Sequence, residues 1–251
     1  MAIFSLPLPH AAGIRFRPAA TLMFALALAL LASVWVPGSA LAAKVTYLVK
    51  PAEVLARGAK NWRPLNLGDT VDQGDRLRTG MGARIEVTIA PKRVFRLGEG
   101  SEMELDTLST GKRAKNTTLR VKFGKMWTGI LRPLKTKEGE KFIVKTPTGT
   151  LGIKGTSFGV DFDRGSSSMG VSVLHGVVEA VSEESVRQEV GGPQEISGPQ
   201  EISRQEWKVL VGAMQKVIIR PGETPKVVPM TQEDLKDDWV DFNSQRDKEA
   251  E

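Results

Sequence analysis

The chain has 251 residues, 35 lysines and arginines against 29 acids, two histidines and no cysteine. That length suits one medium domain or two small ones, and an apolar fraction of 41% is enough for a sizeable core. The lack of cysteine excludes disulfides, thiol nucleophiles and thiolate metal sites. With His10 in a leader-like segment, His175 is the one imidazole left for a catalytic triad, and a multi-histidine zinc site cannot be built.

Residues 1–17 hold Arg15 and Arg17 and no acid, and residues 19–36 are almost wholly apolar. Pro37-Gly38-Ser39 breaks that run, and Ala40-Leu41-Ala42 follows with small residues on either side of Leu41. A basic head, an apolar middle and a small-residue cut site make a signal peptide over residues 1–42, with cleavage after Ala42. The competing reading is an uncleaved anchor, because an apolar run of about 18 residues is near the lower limit for crossing a bilayer. Under either reading the rest is exported, with the periplasm as the expected compartment. Membrane contact is expected only through an uncleaved leader.

From Val45 to Val181 the dominant period is two, the spacing of a half-buried strand. Residues 84–89 alternate polar and apolar, residues 94–97 do so in part, and 119–123 and 158–163 do so cleanly. Residues 171–174 and 177–181 are more continuously apolar, as strands covered on both faces would be. Glycine-rich punctuation recurs at residues 67–69, 74–75, 79–82, 98–100, 111, 139, 165 and 176. Many short strands between regular turns predict an all-β fold, mostly antiparallel, either a multi-stranded sandwich or a short β-solenoid-like domain. Residues 183–204 form a polar loop in which Gly192-Pro193-Gln194-Glu195-Ile196-Ser197 is repeated at once as residues 198–203. Two copies are too few for a stacked repeat. Residues 205–251 then read as a C-terminal extension: two strands (207–211 and 216–219) and a short amphipathic helix. Thr231 and Asp234 have capping-box spacing, and Leu235, Trp239 and Phe242 fall on one helical face. That stripe either docks on the β body or serves as a detachable partner-binding helix.

The segment Phe142 to Val160 contains Thr146-Pro147, a small apolar stretch with Gly152, and then Lys154-Gly155-Thr156-Ser157-Phe158. Downstream lies Val173-Leu174-His175-Gly176-Val177-Val178, and upstream are paired Gly-Asp turns, Gly68-Asp69 and Gly74-Asp75, ahead of Thr79-Gly80. Together these resemble the FecR domain, the exported sensor domain of FecR-type regulators, over the domain drawn at residues 43–182. The resemblance implies a family structural motif at Thr146, Pro147, Gly152, Gly155, Thr156, Phe158 and Gly176. Residue chemistry reads the same block as a structural corner: Pro147 suits a strand end, Gly152 and Gly155 permit a close crossing, and Phe158, Val160 and Phe162 share a core-facing side. The chain differs from the signalling members in having only about 20 residues before the apolar run, too few for a folded anti-sigma segment. Ala90-Pro91-Lys92-Arg93 also stands where the family has an Asp-Gly-Ser turn. The exported module is therefore expected without the signalling apparatus.

Residues 112–154 carry twelve bases against Glu138 and Glu140, while Thr231 to Glu251 carries eight acids against three bases. Lys112, Arg113, Lys115, Arg120, Lys122 and Lys125 are the candidate surface for an anionic partner. The plainer reading is a solvated face that keeps the sheet soluble. The opposite charge of the tail raises the expectation that it folds over the basic face. An export signal sets nucleic acid aside. No catalytic, cofactor or metal-binding constellation is recognised. Asp161 and Asp163, two apart on one strand face, leave a carboxylate hydrolase as the least favoured reading, and Asp161 to Gly165 lacks the closing glutamate of a calcium loop. The leading expectation is a non-catalytic binding or sensing module acting through contacts with an envelope protein. A binder of anionic cell-wall polymer or polysaccharide is the alternative.

Overall fold

The computed structural model describes residues 43–90, 93–108, 116–130, 140–153, 155–182 and 207–250. The leader, the duplicated loop and Lys112, Arg113 and Lys115 lie outside the described residues.

Seventeen strands, among the described residues, form two sheets that share one core. Sheet A runs in the order β4 (Thr70–Val71), β1 (Ala43–Val49), β6 (Arg84–Ala90), β7 (Arg93–Leu97), the second half of β9 (Asn116–Ile130), β12 (Ser157–Asp163), β13 (Ser168–His175), β16 (Gln215–Ile219) and β17 (Lys226–Pro229). Sheet B runs β3 (Arg63–Pro64), β2 (Ala52–Leu55), β5 (Arg76–Thr79), β8 (Glu102–Leu108), the first half of β9, β10 (Lys141–Lys145), β11 (Gly149–Ile153), β14 (Val177–Ser182) and β15 (Lys208–Gly212). Neighbours are antiparallel except β10, which runs parallel to β9. The all-β, mostly antiparallel fold expected from the alternation is what the chain adopts, and the shared core makes it a two-layer arrangement.

Successive hairpins alternate between the sheets, so the chain turns a corner after nearly every second strand. The alternation fixes which side chains go inward: Ile85 and Val87 of β6, Phe95 and Leu97 of β7, Phe158, Val160 and Phe162 of β12, and Leu119 and Val121 of β9 are all buried in the common core. β9 belongs to both layers. Its residues 117–123 pair with β8 and its residues 126–130 with β7. The bend falls at Gly124, whose φ is +86°; a Cβ there would lie 2.6 Å from Ser101 Cα. Ser101 seals the crossing, because its Oγ accepts from Lys125 N at 2.8 Å and its N–H donates to Thr79 Oγ1 at 3.0 Å.

The C-terminal extension holds three strands where the sequence predicts two, because the third, β17, is four residues long and ends at Pro229, too short to show an alternation. It then ends in two helices where the stripe of Leu235, Trp239 and Phe242 predicts one. α1 (Gln232–Leu235) starts with the Thr231–Asp234 capping box, and α2 (Asp238–Ala250) follows a break. Asp237 makes the break: its Oδ1 accepts from the amides of Trp239 and Val240 and so caps a new helix start. Leu235, Trp239, Val240 and Phe242 still reach the same neighbours, Trp127 and Leu174, on the outer face of sheet A.

Candidate functional site on the outer face of sheet A

The Thr-Pro to Gly-Thr-x-Phe block forms a hairpin turn followed by a corner. Thr146 is buried in the turn between β10 and β11; its Oγ1 accepts from Gly149 N at 3.1 Å and from Thr148 N at 3.3 Å, while Pro147 is exposed at the tip. Gly152 lies within β11, opposite Glu179 of β14. Gly155 (φ +91°) and Thr156 carry the chain from sheet B to sheet A, and Gly176 (φ +86°) carries it back at the end of β13. The two corners touch: a Cβ on Gly176 would lie 2.7 Å from the Gly155 carbonyl oxygen, and Thr156 Oγ1 donates to Val177 O at 3.2 Å. Phe158 is fully buried beneath them. His175, exposed at the end of β13, is adjacent to this corner.

The described members of the basic candidate surface divide between two faces. Arg120 and Lys122 project from the outer face of sheet B. Arg120 pairs with Asp106 at 2.9 Å and Lys122 with Glu104 at 3.1 Å, both acids standing across on β8. Arg76–Glu102 and Arg78–Glu53 extend the same cross-strand ladder. Lys125, beyond the bend at Gly124, stands on the outer face of sheet A instead, where it lines two grooves beside α2. The acidic tail packs on that face and leaves Arg120 and Lys122 open to solvent.

Of the two candidate carboxylates, Asp163 is occupied by its own turn. It accepts from Ser166 N at 2.6 Å and Ser166 Oγ at 2.8 Å, and these bonds hold its carboxyl below the usual range. Asp161 lies along a groove of about 270 Å³ that is also lined by Lys125, Lys216, Asp234, Asp237 and Trp239. Desolvation there raises the Asp161 carboxyl; Lys125 opposes the rise, while Asp163 and Asp237 add to it. Among the described residues no group of three or more His, Asp or Glu is placed to hold a metal.

The most elaborate constellation is one that strand alternation does not announce: the seat of α2. β6, β7, β9 and β12 send Glu86, Arg96, Trp127 and Ser157 outward, and α2 sets Asn243, Arg246 and Asp247 against them. Arg96 is 1% exposed. It donates to Glu86 Oε2 at 2.7 Å, to Asp247 Oδ1 at 2.6 Å and to Asn243 Oδ1 at 3.3 Å. The other Asp247 oxygen accepts from Trp127 Nε1 at 3.0 Å and Ser157 Oγ at 2.8 Å. Arg246 spans both Glu86 oxygens at 3.0 and 3.2 Å, and Thr46 Oγ1 adds a bond of 2.8 Å. Burial pushes the Glu86 carboxyl up, but the bonds from Arg246, Arg96 and Thr46 outweigh it and hold the group at about 2. Each buried charge here meets an opposite one, the condition under which charges survive desolvation.

Two glycines hollow the seat. A Cβ on Gly129 would lie 2.5 Å from Asp247 Oδ1, and one on Gly159 would lie 2.9 Å from Trp127 Cε3. The seat was legible in part. In residues 94–97 the odd polar member is Arg96, flanked by buried Phe95 and Leu97, and Asn243 and Asp247 continue the Trp239 stripe at intervals of four. What sequence could not supply is the pairing of strand cations with helix acids some 150 residues away.

The family model described as FecR protein matches residues 75–179. Two solved structures of a candidate anti-sigma factor from Parabacteroides distasonis are similar to the chain, each at 18% identity and a TM-score of 0.45, over 63% of this chain and 61% of the other. The chain thus spans less than two thirds of that protein's length. No curated protein matches it significantly in sequence.

Proposed function

Since the chain carries a FecR domain over residues 75–179, we propose that it is a non-catalytic binding or sensing module of the cell envelope, exported by its N-terminal leader and acting through protein–protein contacts. The family match carries this reading, because FecR-type domains resemble regulatory and sensing modules and not enzymes. The surface agrees with it. β15 and β17, among the described residues, are each hydrogen-bonded to a strand on one side only, the arrangement used to accept an added strand. Leu210 and Val177 stand exposed near the first of these edges and Ile218 near the second. The ladder of ion pairs on sheet B disfavours a polyanion there, since Arg120 and Lys122 already face acids.

The test is in-cell cross-linking of the tagged full chain, followed by osmotic-shock fractionation and mass spectrometry. The expected result is recovery in the periplasmic fraction of the same discrete protein partner in repeated captures. Retention in the cytosol, or sedimentation with purified peptidoglycan and no protein cross-link, would overturn the reading.

A further inference from the structure

Sheet A has a different hydrophobic layer on each side. Its inner face belongs to the common core, and its outer face carries a separate small cluster of Trp127, Leu174 and Trp239, joined by Leu235, Val240 and Phe242. α2 adds no strand to either sheet, so it is able to leave without opening the common core; segments bounded in this way are the usual units of local unfolding. The strands under it, β6, β7, β9 and β12, all lie inside residues 75–179, whereas α2 lies outside them. A segment beyond the family domain is thus seated on that domain's outer face.

The seat is specific in shape and charge. Gly129 and Gly159 remove the side chains that would collide with Asp247 and Trp127. Arg96 supplies a buried cation for an acid, and Trp127 and Ser157 aim two donors at the same carboxylate. Arg84 pairs with Asp238 at the start of the helix and lies 4.5 Å from the Phe242 ring centroid. Buried ion pairs add little net stability compared with apolar packing, but they select the register and identity of what they hold. α2 is thus held by this network together with the apolar contacts of Trp239, Val240 and Phe242, a combination that discriminates one helix from another.

We infer that the outer face of sheet A is a helix-recognition site, that α2 is its tethered occupant, and that a partner protein's acidic amphipathic helix displaces it. The helix that fits presents an aromatic residue, then Asn four residues on and Asp eight residues on, the spacing of Trp239, Asn243 and Asp247. The inference rests on the protein-binding reading above and adds the site and the chemistry of the partner. Tethering gives α2 a high effective concentration, so a foreign helix competes only when it binds better or when α2 is weakened.

The test uses the full chain and a fluorescent peptide of residues 231–251. In wild-type protein, hydrogen exchange is expected to be at least tenfold faster at α2 amides than at those of β9 and β12. The Trp239→Ala chain is expected to bind the peptide at least tenfold more tightly than wild type does. A peptide carrying Asp247→Asn is expected to lose that gain. Equal exchange of α2 and the strands would make the helix integral to the fold and overturn the inference. So would a Trp239→Ala chain that retains its strand circular dichroism and releases α2 yet ignores the peptide. The exchange measurement needs no variant, so a misfolded variant leaves the question decidable. Peptide binding is read with purified components, so it can fail while envelope cross-linking succeeds, or the reverse.

Discussion

Gly176 leaves β13 with φ at +86°, and a Cβ on it would press on the Gly155 carbonyl oxygen at 2.7 Å. Gly222 has a similar φ of +77° but open space around it. The two positions separate strain from collision. Gly222→Ala is expected to cost about 1 kcal/mol, the left-handed penalty alone. Gly176→Ala adds overpacking at the contact between the two corners and is expected to cost about 3 kcal/mol or more. Urea denaturation of both variants, read as a shift in midpoint at constant slope, checks the difference. Gly176 was recognisable in sequence as a turn glycine and Gly155 as a point of close crossing. That they press on one another was not, because the contact joins two crossings that are separated along the chain and brought together only by the β12–β13 hairpin.

At the scale of elements, the docking of α2 has an acid limit. The Glu86 carboxyl, ordinarily at 4.5, stands at about 2. A carboxyl lowered in the folded state stabilises fully above its unfolded value, and that stabilisation is lost as pH falls from 4.5 towards 2. The shift corresponds to roughly 3 kcal/mol. Stability measured in urea is therefore expected to drop by that order between pH 5 and pH 2, and Glu86→Gln is expected to flatten this limb while lowering stability at neutral pH. An unchanged acid limb in the variant would show that Glu86 does not set it. Alternation gave β6 directly, since residues 84–89 read polar-apolar and β6 spans Arg84–Ala90. It gave only half of β9. Residues 119–123 alternate because one face meets water, whereas beyond Gly124 both faces are buried, with Trp127 under α2 and Met126 in the common core, and the pattern fades. The single stripe of residues 235–242 concealed the interruption at Asp237, because a break that keeps all its apolar members on one side leaves the periodicity intact.

Over the whole molecule, β9 ties the layers into one cooperative unit. A substitution at its bend should weaken both sheets at once. Gly124→Ala forces a Cβ to within 2.6 Å of Ser101 Cα at a φ of +86°. It is expected to lower the free energy of exchange equally at Val87 of sheet A and Ala180 of sheet B, by about 3 kcal/mol or more. Exchange that weakens in one sheet alone would show the layers to be independent. Composition and period sufficed for the class of fold, but the assignment of strands to layers depends on corners that sequence marks only as glycines.

The boundaries of the matched region cut across this architecture. Residues 75–179 stop short of β1, which is bonded along β6, and of β16, which is bonded along β13. The same limits strip β2 from β5 and β15 from β14, so an excised cassette would expose four raw flanks of backbone donors and acceptors, one at each end of both layers. A portable version of this domain must take its wrapping with it, from Ala43 through at least Pro229.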